Sequence, residues 1–377
     1  MVGKTHTNML VLVANLGSTS FKFKLLDMDN AGDVLASGGY ERIGQAGSPY
    51  ATHADVIDVI LKDLPCRPDA IGFKAVHGGP ISGAVRVTSD VIATMEQFAD
   101  IAPAHNPPYI AAMKAFAAKM PSTPQVAAFE TAFHQTVPMS RQVYGIPHEW
   151  TEKLGIRRYG FHGASHRYIA TRVKEIVPEA RRIISCHLGG SCSVCAIENG
   201  KSVANSLGLT PQTGVFHNNR VGDFDTFALL RLTKQGYTLD DILKKLGKEG
   251  GLLGISGISN DMRDVERAAA AGDARAKLAV DAFVESVRHY IGASLVVLGG
   301  LDVLAFTGGI GENGASLREA ICRGMEWAGV SLDLSKNHVR AKEEKISKVE
   351  SGVQIWIIPT NEELIVARQT AAVLNAN

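Results

Sequence analysis

Apolar and polar positions along the chain set up a strand-first rhythm that occurs twice. From Met9 to Leu26 two β-prone stretches flank the small turn Gly17-Ser18-Thr19-Ser20, and Val34 to Ile43 predicts a third strand in hairpin fashion. Asp55 to Leu64 has helical period. Ala70 to Val76 returns to strand and stops at His77-Gly78-Gly79-Pro80, a breaker at the strand end where open α/β sheets hold ligands. Val91 to Phe98 and Tyr109 to Ala118 read as helices, and Gln125 to Phe129 as a short buried strand ending at Glu130. In the second half, Ile183 to Val194 and Cys195 to Ile197 predict a hairpin closed by Glu198-Asn199-Gly200-Lys201. Helical patterns follow at Phe224 to Gln235, Leu239 to Leu246, Asp264 to Ala271 and Ala274 to Leu298. Val303 to Thr307 and Ile355 to Ile358 then read as strands, and Glu363 to Leu374 as a terminal helix. The charged run Lys336 to Lys348 reads as a solvated helix face. Two segments, around Asn15 to Lys22 and Cys186 to Val194, share one shape: strand, Gly/Ser turn, strand, with no helix signal after the turn. That shape suits the grip of phosphates and predicts a duplicated α/β fold closing on a nucleotide.

At 377 residues the chain is long enough for two domains with separate cores. Its 39 Lys and Arg nearly cancel its 38 Asp and Glu, which argues against a non-specific grip on nucleic acid or anionic membrane. No apolar run reaches membrane-spanning length and Met1 to Asn8 lacks a signal-peptide core, so a cytoplasmic protein is expected. The five cysteines, an odd number without paired ligand spacing, read as reduced thiols.

Candidate chemistry falls on the turns after strands. Gly308-Gly309-Ile310-Gly311-Glu312-Asn313 follows an apolar strand and precedes a helix beginning near Ala315; it fits neither the dinucleotide fingerprint nor a P-loop, and both a tight turn and a nucleotide site are open. Asn15, Ser18, Thr19 and Ser20 can donate to a phosphoryl group or its metal shell, or simply close a turn. Arg220, in the polar loop Phe216 to Asp223, is either a solvated charge or an anion clamp. Lys74, inside an apolar strand, needs an anionic partner, whether a protein carboxylate or a substrate. His134, His162 and His187 fit buried histidines bonded to backbone as well as they fit a site. Glu130 and Glu362, each after a short strand, are either surface carboxylates or Mg²⁺ holders acting through water.

Taken in order, Asn15-Leu-Gly-Ser-Thr-Ser-Phe-Lys, Val76-His-Gly-Gly, Ala102-Pro-Ala-His-Asn-Pro, Phe129-Glu-Thr-Ala-Phe-His, Arg158-Tyr-Gly-Phe-His-Gly-Ala-Ser-His, Cys186-His-Leu-Gly-Gly, Asn219-Arg-Val-Gly-Asp, Asp261-Met-Arg-Asp, Phe306-Thr-Gly-Gly-Ile-Gly-Glu-Asn and Pro359-Thr-Asn-Glu-Glu-Leu closely resemble the acetate kinase (acetokinase) family from about Leu10 to Ala372. The resemblance implies the acetate and sugar kinase, heat-shock 70 and actin superfamily: an α/β protein of two duplicated ribonuclease H-like domains with a cleft between them. The expected domains are residues 1–133 with 364–377, on the acyl and phosphate side, and 134–363, binding nucleotide. The implied reaction passes the γ-phosphoryl of ATP, with Mg²⁺, to a short carboxylate, reversibly giving an acyl phosphate and ADP. The implied partners are ATP or ADP, a small carboxylate and a second copy in a homodimer.

Carried over residue by residue, the resemblance makes Arg220, His162, Glu130 and Lys74 catalytic. Lys74, Val76, Ala104, Phe161 and Pro211 meet the acyl substrate. Ser18, Ser20, Lys22, His187, Gly189, Gly190, Asp261, Met262, Arg263, Gly309, Ile310, Gly311 and Asn313 meet the nucleotide, and Asn15 and Glu362 the metal. Such a site suits phosphoryl transfer to an acid, because a carboxylate is already a nucleophile and needs no general base. The chain departs from the family pattern at several of these positions. Lys74 stands where arginine is usual, Glu130 for aspartate, Gly190 for asparagine, Ala164 for threonine, Asn218-Asn219 for Gly-Thr, and Ala104 for leucine. These departures leave open a larger acid than acetate, a donor other than ATP, or a catalytically weak nucleotide-binding homologue with a regulatory role.

Overall fold

The computed structural model describes residues 9–30, 32–103 and 105–376. They cluster into two compact units, one of residues 1–135 and 361–377, the other of 136–360. Each unit is a six-stranded mixed sheet. In the first, β1 (Leu10–Leu16), β2 (Phe21–Asp27), β3 (Asp33–Tyr40), β4 (Ala70–Ala75), β5 (Ala84–Arg86) and β6 (Gln125–Phe129) run in the order β3-β2-β1-β4-β6-β5. The β1–β2 and β2–β3 pairs are antiparallel, β1–β4 and β4–β6 parallel, and β5–β6 antiparallel.

The second sheet repeats this plan strand for strand. Its members β7 (Arg182–Leu188), β8 (Cys192–Glu198), β9 (Lys201–Asn205), β10 (Val303–Thr307), β11 (Glu344–Lys345) and β12 (Gln354–Ile357) run β9-β8-β7-β10-β12-β11. The pairing senses match as well: antiparallel twice, parallel twice, then antiparallel. Strand β7 thus answers to β1, and β10 to β4. The central strands are near-continuous apolar runs, as sheets covered on both faces require; every residue of β10 is buried.

In the first unit the C-terminal helix Glu362–Asn375 lies on β1, β4 and β6. Gly72 in the middle of β4 lets it approach, because a Cβ there would overlap the Thr370 hydroxyl. Helices His53–Asp63 and Asn106–Lys119 pack against each other, the latter also against β4. In the second unit the long helix Ala274–Leu298 covers β7, β8 and β9. Its ends are legible in the chain: the Asp273 side chain accepts from the amide of Ala276, and Gly299 closes the helix at φ +64°. Among the described residues no helix is long and apolar enough to cross a membrane, and all five cysteines are free thiols.

Two expectations need correction, and one helix lies where none was anticipated. Ile183 to Val194 is not one strand; the turn at Gly189–Ser191 divides it into β7 and β8, and the Glu198–Lys201 turn joins β8 to β9. A helix, Gly163–Ile176, occupies a stretch without a helical apolar pattern, because the face it buries includes Ser165 and His166, polar residues in core positions. Lys336 to Lys348 is not a helix. The backbone carbonyls of Asn337 and Val339 instead accept from the fully buried Arg318, and Glu344–Lys345 pairs with β12. Four acceptors around that guanidinium, including Gly311 O at 2.7 Å and Asn337 Oδ1 at 2.9 Å, meet the cost of burying it.

Candidate functional site

In the first unit, the ends of β4 and β6 and the start of the C-terminal helix bring three charges together. The Lys74 ammonium is ion-paired with Glu362 and lies 3.5 Å from Glu130 Oε1, with all three side chains largely buried. Burial alone would pull the lysine pKa down, but the Glu130 and Glu362 charges outweigh it and hold the pKa well above the usual lysine value. Lys74 is therefore a firmly charged ammonium already neutralised by protein carboxylates. Nearby, Asn15 at the end of β1 donates to Glu363 Oε1 at 3.3 Å, and Lys24 pairs with the same carboxylate. The turn after β1 is held by the Tyr109 hydroxyl, which accepts from the amide of Leu16 at 2.9 Å, and by His53 against the Gly17 carbonyl. Burial raises the Tyr109 pKa, so its hydroxyl stays protonated. A Cβ on Gly17 would come within 2.6 Å of Ser20 Oγ, so a side chain there would have to displace that hydroxyl.

The second unit assembles a different chemistry on the equivalent hairpin. His162 caps the start of helix Gly163–Ile176 with φ +75°, a left-handed conformation that costs a non-glycine residue about 1 kcal/mol or more. Its Nδ1 lies 2.7 Å from Ser193 Oγ on β8, and its ring stacks on His187 at 4.2 Å between centroids. Ser165 meets His187 Nδ1 at 2.8 Å, while the buried His166 bridges Ser185 and Ser193, 2.8 Å from each.

The loop from Phe216 to Gly222 carries a partly buried guanidinium whose partners are neutral. Arg220 donates to Ser191 Oγ at 3.2 Å and to the Pro211 carbonyl at 3.1 Å, and no described carboxylate pairs with it. Burial lowers its pKa somewhat, yet an arginine stays charged there. Beside it, His217 accepts from the amide of Cys192 at 2.7 Å through Nδ1, which assigns its proton to Nε2. Burial first, then the Arg220 charge, brings the His217 pKa down to about 3. The adjacent Cys192 thiol, pushed by burial up to about 12, is an inert packing group.

A cavity of about 1030 Å³ opens from this hairpin. Its lining includes Gly189, Gly190, Gly309 and Asn218, with Gly190 close to Asn218 and Gly189 close to Gly309, and also Asp261, Met262, Arg263 and Asn337. Asp261 caps its helix by accepting from the amide of Arg263 and also pairs with that side chain, which brings its pKa to about 2.

The chain matches the acetokinase family profile over residues 56–368. It is 43% identical over 397 aligned positions to acetate kinase of Dictyoglomus turgidum, covering 97% of this chain and 98% of that protein. The crystal structure of Porphyromonas gingivalis acetate kinase superposes with a TM-score of 0.89 at 40% identity, over 97% of this chain and all of that one. A propionate kinase from Francisella tularensis superposes with a TM-score of 0.90 at 35% identity and the same coverage. The chain belongs to the acetokinase family.

Within this acetokinase-family chain the expected residues fall into both units. The first unit holds Asn15, Ser18, Ser20, Lys22, Lys74, Val76, Glu130 and Glu362; Lys22 projects from β2 into solvent, and Ala104 lies outside the described residues. The second holds Phe161, His162, His187, Pro211 and Arg220, with Phe161 buried and its amide 3.4 Å from Asn205 Oδ1. Gly189, Gly190, Asp261, Met262, Arg263, Gly309, Ile310 and Asn313 all line the cavity. Gly311 does not; it is buried against the Phe306 and Cys186 backbone.

Sequence reasoning passed over several residues that build the site. Ser193 bonds His162 and His166 together; Ser193 and His166 lie in segments already singled out, but neither was given a role. Glu312, whose Oε1 accepts from the amides of Gly308 at 2.9 Å and Thr360 at 3.3 Å, ties the turn after β10 to the segment after β12. The fully buried Asn106 donates to the carbonyls of His77 at 3.0 Å and Met95 at 3.1 Å, fixing the loop after β4. The signals were its placement before Pro107-Pro108 at a helix start and its membership of the quoted segment Ala102 to Pro107.

Proposed function

We propose that this chain transfers the γ-phosphoryl group of ATP, with Mg²⁺, to a short-chain carboxylate, releasing an acyl phosphate and ADP in a reversible reaction. The observation that carries the reading is Arg220: a partly buried guanidinium whose partners among the described residues are neutral, in a chain related over its whole length to acetate and propionate kinases. A desolvated cation without a protein carboxylate is suited to an anionic substrate and to the charge that spreads over a phosphoryl group in flight.

A carboxylate oxygen of the acid attacks the γ-phosphorus. The new O–P bond forms as the bond to the β–γ bridging oxygen breaks, and ADP leaves with that electron pair. No proton moves in this step. Arg220 steadies the acid and the equatorial oxygens, and His162 donates to the same group. The large cavity of the second unit takes the nucleotide, with the adenosine toward Asp261 and Arg263 and the phosphates toward Gly189, Gly190 and Gly309. In the first unit Lys74 acts through the two carboxylates it neutralises.

The residues present suit Mg²⁺. Glu362, Glu130 and the Asn15 carboxamide offer hard oxygen donors, and a nucleotide-bound Mg²⁺ needs only one or two protein carboxylates besides phosphates and water. The ion would supply neutralisation of the phosphate charge. We further propose a homodimer, supported by the exposed apolar side chains Phe227, Leu230, Leu239 and Leu243 on and beside the contacting helices Ala228–Lys234 and Leu239–Lys248.

The test is hydroxylamine trapping of the acyl phosphate with acetate, propionate and butyrate in the presence of ATP and Mg²⁺. Hydroxamate formation with at least one acid is expected. Tight ATP binding without turnover of any acid would overturn the reading.

A further inference from the structure

Asn218 lines the nucleotide cavity close to Gly190, two residues before Arg220 on the same loop. Both of its backbone groups are fixed: its amide donates to the Gly190 carbonyl at 3.3 Å and its carbonyl accepts from the amide of Leu253 at 2.9 Å. The rest of the loop is stitched down in the same way. The His217 carbonyl accepts from Leu252 at 2.9 Å, the Asn219 carbonyl from Gly250 at 3.1 Å, and His217 Nδ1 from Cys192 at 2.7 Å. The Asn218 carboxamide, by contrast, makes no hydrogen bond to any described residue, although it borders the cavity and carries two donors.

Gly190 explains why that carboxamide can sit where it does. A Cβ built on Gly190 would point at Asn218 Nδ2 from 3.9 Å, so any side chain longer than alanine at 190 would take the space the carboxamide holds. Across the turn, a Cβ on Gly189 would lie 3.6 Å from the Gly309 amide. Two glycine turns and one rigidly mounted amide group thus meet in the cavity lining, where backbone can approach an oxyanion closely.

We propose that Asn218 is a nucleotide-binding residue, its carboxamide NH₂ donating to the β- or γ-phosphate oxygens of the bound ATP or ADP over the bare Gly190. The inference rests on the reading of this cavity as the nucleotide site, and it adds a phosphate donor from the loop that also carries Arg220. The preorganised backbone means that little ordering is lost on binding.

The experiment measures binding of AMP, ADP and ATP by calorimetry to the full-length protein without any carboxylate substrate. Asn218→Ala should weaken ADP and ATP about tenfold, the ratio expected for one hydrogen bond to a charged group, and leave AMP within about twofold. Its thermal midpoint should match the parent protein, because the side chain bonds to no described residue. The transplanted pair Asn218→Gly with Gly190→Asn should recover ADP affinity to within about threefold, since it returns a carboxamide to the same space. Equal loss for AMP and ADP, unchanged ADP and ATP affinity in Asn218→Ala, or no recovery in the transplanted pair would each overturn the assignment. If the parent protein binds none of the three nucleotides, the nucleotide reading of the cavity falls as well, and with it this inference.

Discussion

The two units have the same strand order and the same pairing senses, yet they carry opposite kinds of polar chemistry. Near the ends of β4 and β6 the first unit buries full charges that answer one another, with Lys74 between Glu130 and Glu362. The second unit, on the hairpin β7–β8 and the loops around it, uses hydroxyls and imidazoles with one guanidinium that no described carboxylate balances. One topology supplies equivalent platforms, and the side chains set on them decide what each can hold. The first is a closed electrostatic cluster. The second is an open set of donors.

The sharpest way to break this contrast is to remove the central cation of the first unit. Lys74→Met leaves two carboxylates without their ammonium, and the expected result is a loss of about 3–5 kcal/mol in stability, seen as an early unfolding phase in denaturant, together with lost turnover. Wild-type unfolding of that variant would mean that the cluster is solvated and the contrast unfounded. Arg220→Ala should do the reverse. Its partners are a hydroxyl and a carbonyl, so the unfolding midpoint should stay close to the parent value while kcat falls by about 10³ or more with ATP affinity little changed.

Glycine substitutions sharpen the same comparison at smaller scale. Gly72→Ala pushes a methyl group into Thr370 on the C-terminal helix and should cost about 1–3 kcal/mol in chemical denaturation. Gly309→Ala, whose Cβ meets nothing within 4 Å, should leave unfolding unchanged or slightly improved, and any loss should show in nucleotide binding instead.

A pH dependence belongs to the second unit alone in this comparison. The folded His217 has a pKa near 3, below that of a free histidine near 6.5, so between these values the unfolded chain takes a proton that the folded one refuses. Stability from this group is complete above pH 6.5 and is lost on acidification toward pH 3, at up to about 1.4 kcal/mol per pH unit. Urea midpoints at pH 7, 6 and 5 should fall less steeply for His217→Asn, whose carboxamide oxygen can still accept from Cys192. An identical slope in both proteins would remove His217 as the source.

Several residues in the first unit were legible because each sits where a strand meets a breaker. Lys74 in an apolar strand demanded an anion, and Glu130 and Glu362 each followed a short strand; the structure brings the three into one cluster. In the second unit the glycine turns and Arg220 were visible as punctuation and as a charge in a polar loop. The histidine network was not visible, because Ser165 and His166 occupy core positions of a helix whose apolar period they erase. Asn218 was noticed only as a departure from the family pattern, since nothing local says that its carboxamide faces a cavity.

What the chain determines by itself is the alternation of apolar strands with turns and capped helices, which is why β4, β6, β10 and the helix Ala274–Leu298 can be read from period and punctuation alone. That information is local, because hydrophobic period and turn chemistry act over a few residues. Tertiary structure decides which polar residues meet: Lys74 with a carboxylate 56 positions on and another at the far end of the chain, Arg318 with the carbonyls of Asn337 and Val339 after Lys336, and Arg220 with no described carboxylate. Burial sets the cost of each of these encounters, and burial exists only once the sheets have formed.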